Sequence, residues 1–165
     1  MLFRSPLLRF ERRLEPLGAA SLVADAEALA ALPLQGQRLL LAIGGRHLSV
    51  MAAAVRHAGA TPYGRALPSP DGLRAALRAA LPPGHLAVVR PLQGEEPGAL
   101  ERALCRRWGI SMVLCRQSGG VTEQFWHQLT TELGLSLLLL RRPAPPEPLL
   151  CVEDVSTLIE RLECD

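Results

Sequence analysis

The residues with the clearest chemical potential are Arg116, Ser118, Gly119, Gly120 and Thr122 in the stretch Leu114-Cys115-Arg116-Gln117-Ser118-Gly119-Gly120-Val121-Thr122-Glu123. Glycines let backbone amides approach a ligand closely, and the first turn of a helix has unpaired N–H groups at the positive end of its dipole. Hydroxyls from Ser118 and Thr122 and a fixed charge from Arg116 complete a donor set for a phosphate or carboxylate. The chain repeats the logic at Ile43-Gly44-Gly45-Arg46, where Gly44, Gly45 and Arg46 stand between an apolar run and a helical segment. The plain structural alternative at both places is a glycine turn with a hydroxyl cap and a solvated arginine. Other motifs are incomplete or absent. G-x-S-x-G is only half present around Ser118, and neither G-x-G-x-x-G nor a lysine-bearing phosphate loop occurs. No residue is identified as a catalytic acid or base, so the catalytic set is left unassigned.

Positioning such loops requires strands that end where helices begin, and the hydrophobic pattern supplies them. Strands are predicted over Arg38–Ile43, Ala60–Leu67, His85–Arg90, Ile110–Cys115 and Leu135–Leu140, with Pro62 pushing the second towards an edge. Helices are predicted over Arg46–His57, Leu73–Ala80 with Asp71 as its cap, Pro97–Trp108, and Val121–Leu133 ending at Gly134. A short strand at Ala20–Val23 and a short helix at Asp25–Leu32 precede them. An amphipathic helix at Glu153–Leu162 follows the proline-rich link Arg142–Pro148. Leu135–Leu140 is apolar on both faces, which suits a strand covered by helices on each side. The alternation predicts a three-layer α/β fold with a mainly parallel sheet, whose ligands bind outside the carboxyl ends of its strands. Residues 1–19 are read as an irregular lead-in and residues 20–165 as one domain.

Composition excludes several classes. The chain of 165 residues is 48% hydrophobic, which suits one folded domain rather than disorder. Its apolar runs are too short to span a bilayer, and no signal peptide is recognised, so a cytoplasmic protein is expected. A net charge of +2 without a clustered basic face argues against nucleic acid. All 18 basic residues are arginine, and lysine and asparagine are missing; GC-rich codon usage accounts for both, together with the abundant alanine, glycine and proline. Cys105, Cys115, Cys151 and Cys164 lack metal-ligand spacing, so no metal site is expected, and Cys105 and Cys115 are read as small buried hydrophobes. Trp126 and Phe125 are expected in the core. The four histidines are expected to be solvated or capping.

Taken in order, Leu39–Leu48, Cys115–Gly120, Leu135–Pro143 and Leu8–Arg12 resemble segments of the carboxyl-terminal half of precorrin-6A reductases of cobalamin biosynthesis. Leu39–Leu48 looks like the family's strand ending in an isoleucine-glycine-arginine turn. Arg116 stands where the family's serine-glycine-glycine loop carries lysine, and Gly44-Gly45 has one glycine more than the family's turn. The resemblance implies an NADPH-dependent oxidoreductase with two Rossmann-like halves, the cofactor lying between them. Precorrin-6A or cobalt-precorrin-6A would be the substrate. It further implies that Gly44, Gly45, Arg46, Arg116, Ser118, Gly119, Gly120 and Thr122 approach cofactor or substrate anions, and that a separate amino-terminal half completes the enzyme. The alternative is a non-catalytic α/β domain that binds an anion or a partner chain.

Overall fold

The computed structural model describes residues 8–92, 96–144 and 150–163. Residues 1–7 of the lead-in, residues 145–148 of the proline-rich link and Cys164 lie outside the described residues. Fifteen short apolar and amphipathic segments resolve into β1 (Leu8–Phe10), β2 (Ser21–Val23), α1 (Ala26–Ala30), β3 (Arg38–Ala42), α2 (Gly45–His57), β4 (Thr61–Ala66), α3 (Pro70–Arg78), a 3₁₀ turn (Pro83–His85), β5 (Leu86–Val88), α4 (Ala99–Trp108), β6 (Met112–Arg116), α5 (Val121–Leu133), β7 (Ser136–Leu140), β8 (Leu150–Val152) and α6 (Val155–Glu163).

Six strands form one sheet in the order β2-β7-β6-β3-β4-β5, and every pairing in it is parallel. The chain moves one way across the sheet from β2 through β3 and β4 to β5, then jumps back to β6 and β7. Right-handed crossovers place connecting helices on opposite faces when the direction reverses. Accordingly Leu29 of α1, Leu48 and Val55 of α2 and Ala76 of α3 pack with Leu39, Leu41 and Leu114 on one face. Cys105 and Trp108 of α4 and Trp126 and Leu129 of α5 pack with Leu40, Val113 and Leu139 on the other. The alternation within β3, β6 and β7 is the two-residue period of strands buried on both sides. The buried Trp126, Cys105 and Cys115 match their expected places in the core.

Three expectations need correction. β4 is an interior strand despite Pro62. Thr61 donates its N–H to Gln37 on the β3 side, so the missing N–H of the next residue points the other way, where β5 pairs only with Gly64–Ala66. The cap of α3 is Ser69, whose hydroxyl accepts from Gly72 N, while Asp71 sits in the first turn and pairs with Arg74 at 2.6 Å. The lead-in is not wholly irregular, because Leu8–Phe10 pairs in parallel with Leu150–Val152 as a separate two-stranded ribbon. Beyond β1 the lead-in lies against the β6–α5 loop. Arg142 Nη1 donates to the Arg12 carbonyl at 2.7 Å, and Gln124 Nε2 donates to Glu15 at 2.8 Å.

Candidate functional site

The two glycine turns lie side by side because their strands do. β3 and β6 pair in parallel with Ala42 opposite Cys115, so the turns that follow them emerge at the same sheet edge, where the strand order reverses. Crevices at such reversals are the usual ligand sites of open α/β sheets. A cavity of about 600 Å³ opens there. Its lining includes Gly44, Gly45 and Arg46 at the start of α2, Arg65 from β4, Arg78 from α3 and Arg116 from the end of β6. Gly44 has φ +79°, a conformation that side chains other than glycine's rarely adopt, and it turns the chain directly into α2. Arg46, Arg78 and Arg116 are exposed and form no ion pair among the described residues. Among the described residues Asp71 is the one carboxylate on the lining, and Arg74 offsets it. Arg46, Arg78 and Arg116, without ion-pair partners among the described residues, make the cavity's potential positive, which suits a phosphate or carboxylate.

The remaining predicted site residues are arranged differently. The amides of Ser118 and Gly119 donate to Oε2 of the buried Glu123, the second at 2.7 Å. An internal carboxylate thus occupies the cradle that the sequence assigns to an external anion, and the expectation for these two amides is corrected accordingly. Glu123 is the third residue after the Gly120 cap, the position from which a glutamate reaches back in a capping box. That spacing was the available signal. Gly119, at φ +63°, lies so close beneath the lead-in that a Cβ there would be 1.8 Å from the Arg13 carbonyl oxygen. A Cβ on Gly120 would be 3.0 Å from Arg12 Nη1. Ser118 lines a separate, shallower cavity with Phe10, Glu11, Arg12 and Arg142, and Thr122 is exposed in the first turn of α5. The cavity lining therefore unites Gly44, Gly45, Arg46 and Arg116 and does not include Ser118, Gly119, Gly120 or Thr122.

Sequence reasoning missed Arg65 and its partner. Arg65 Nη1 donates to Glu101 Oε1 at 2.7 Å, with side chains only 11% and 2% exposed. The same carboxylate oxygen accepts from Leu92 N at 3.0 Å. The signal was a charged residue inside an otherwise uncharged strand, Thr61–Ala66, although nothing in the sequence pairs it with position 101. Burial pushes the Cys115 thiol up to about 12 and Cys105 up to about 11, so both are inert neutral groups in the core. Among the described residues no helix is long and apolar enough to cross a membrane, and no three His, Cys, Asp or Glu side chains gather as a metal site.

This architecture has known counterparts. A solved structure described as CobK precorrin-6A reductase superposes with a TM-score of 0.70 at 25% sequence identity, covering 96% of this chain and 62% of that one. The chain thus spans less than two thirds of that protein's length. No curated protein matches it in sequence. The model of the family described as precorrin-6x reductase CbiJ/CobK matches residues 2–163. Nearly the whole sequence satisfies that model, and an all-parallel sheet with an arginine-lined switch-point cavity accompanies the match; the chain belongs to the precorrin-6x reductase family.

Proposed function

We propose that this chain is the carboxyl-terminal part of a precorrin-6A reductase and that its switch-point cavity holds an anionic group of NADPH or of the macrocycle. The observation that carries this is the convergence of Arg46, Arg65, Arg78 and Arg116 on one cavity beside the Gly44–Gly45 turn. The donor set fits the charged groups of such ligands: amides at the start of α2 and planar guanidinium forks match phosphate and carboxylate oxygens. When bound, NADPH supplies the hydride that reduces one macrocycle double bond. The chain's own contribution is to bind and orient. Gly44 and Gly45 leave room for close backbone approach, and exposed Arg46 and Arg116 neutralise charge from two sides. No side chain is assigned a proton-transfer role.

A second α/β unit, an amino-terminal half, is part of the proposal. Its support is the ribbon of β1 and β8, which among the described residues pair only with each other and so leave both outer edges open. Val155, Ile159 and Leu162 of α6 are exposed beside it, and the matched reductase is longer than this chain. Isolated two-stranded sheets are marginal in water, and a further strand on either edge would stabilise this one.

The test is ligand binding by the chain alone, followed by turnover when it is mixed with the amino-terminal half of a CobK-type reductase. Inorganic pyrophosphate, tricarballylate and NADPH would be titrated by calorimetry. Loss of two charge-assisted contacts in Arg46→Ala/Arg116→Ala should weaken binding roughly 10–100-fold. Unchanged affinity would remove the site assignment, and binding without turnover in the mixture would favour the non-catalytic alternative.

A further inference from the structure

Among the described residues Arg65 is the one cation of the cavity wall with an internal partner. Its guanidinium has five N–H donors, of which Glu101 takes one. Glu101 does not line the cavity, yet through a single oxygen it holds both Arg65 and the backbone N–H of Leu92. Leu92 has φ +54°, an unfavourable conformation for leucine, and directly follows Pro91, a lining residue. Glu101 Oε2 is buried without a partner among the described residues. The Arg65 guanidinium also lies 5.8 Å from the Trp126 ring centroid, and its burial opposes the charged form while Glu101 supports it. Arg65 is thus a largely desolvated cation with one ionic contact and further donors beside the cavity.

We propose that Glu101 is an internal counter-ion that competes with the bound anion for Arg65, lowering the affinity of the cavity and linking its occupancy to the backbone at Leu92. This rests on the cavity being an anion site. Glu101 is a positioning residue; it acts on the ligand only through Arg65. Glu101→Gln keeps the volume and an oxygen that can accept from Leu92 N but removes the charge. Arg65 then lacks an anion unless a ligand supplies one. Binding should tighten on the order of ten-fold, the effect of removing one charge that opposes the ligand across a single guanidinium at an effective dielectric of about 20. A residue needed only for shape would produce looser binding or no change.

The experiment titrates the full chain, as wild type, Glu101→Gln, Arg65→Gln and the double variant, with inorganic pyrophosphate and separately with tricarballylate. A gain with the first marks a phosphate-type ligand, and with the second a polycarboxylate. Expected are tighter binding in Glu101→Gln, weaker binding in Arg65→Gln, and no gain in the double variant. Equal or weaker binding in Glu101→Gln, or a gain that survives without Arg65, overturns the proposal. If wild type binds and Arg46→Ala weakens it while Glu101→Gln does not tighten it, only the counter-ion role falls. If wild type binds neither probe, the cavity assignment falls too. Should Glu101→Gln fail to fold, wild-type NMR decides: saturating pyrophosphate must shift the Leu92 amide and speed its hydrogen exchange, and an unmoved Leu92 amide overturns the link.

Discussion

Glu123→Ala is the most informative perturbation of the β6–α5 loop. The carboxylate is buried and accepts from the Ser118 and Gly119 amides. Hydrogen bonds to a charged group contribute about 1.5–3 kcal/mol each, so the two together amount to roughly 3–6 kcal/mol. Two effects reduce the loss. Removing a buried carboxylate relieves its desolvation, since Oε1 has no hydrogen-bond partner among the described residues and His127 Nε2 lies 3.9 Å away. Ser118 and Gly119 are also only half-buried, so water can reach the freed amides. A net loss of about 2–4 kcal/mol remains, equivalent to a fall in Tm of roughly 4–16 °C for a chain of this size. Urea unfolding followed by far-UV circular dichroism and tryptophan fluorescence measures it. Acetate, which reproduces the missing carboxylate, should stabilise the variant more than wild type, by linkage to a site that exists only when Glu123 is gone. A loss under about 1 kcal/mol, with no selective response to acetate, would refute the claim that Glu123 organises this loop.

Two further outcomes follow from the packing. A Cβ on Gly98 would lie 2.1 Å from Phe125 Cε2, so Gly98→Ala should lower stability by about 2–4 kcal/mol, and Phe125→Ala in the same chain should recover part of that, giving a non-additive double-mutant cycle. Cys105 and Cys115 have folded pKa values of about 11 and about 12, against an ordinary value of 9.0. As pH rises through 9 the unfolded chain loses these thiol protons first. The contribution of the neutral buried thiols is complete below that pH and lost towards the folded values. Stability should fall by roughly 2–3 kcal/mol between about pH 8 and about pH 10, and Cys115→Ala should remove about half of that slope in pH-dependent urea midpoints. A slope unchanged by Cys115→Ala would contradict the assignment.

Local pattern determined which segments are strands and helices. The doubly apolar runs of β3, β6 and β7 require cover on both faces, and glycine-rich turns at strand ends require helices to follow, so a parallel three-layer fold was legible residue by residue. The family resemblance was legible too, through the ordered spacing of Leu8–Arg12, Leu39–Leu48, Cys115–Gly120 and Leu135–Pro143. Strand order was not, because two-residue periodicity states that a strand is buried without naming its neighbour. Only the tertiary structure sets β3 against β6 and brings Arg46 and Arg116 to one cavity with Arg65 and Arg78. It alone lays the lead-in over Gly119, turns Glu123 back on the amides of its own loop and pairs Arg65 with Glu101 across 36 positions. A carboxylate in the sequence is equally ready to face solvent, an amide or a distant guanidinium. The choice is made by which of these partners shares its low-dielectric surroundings once the chain has folded.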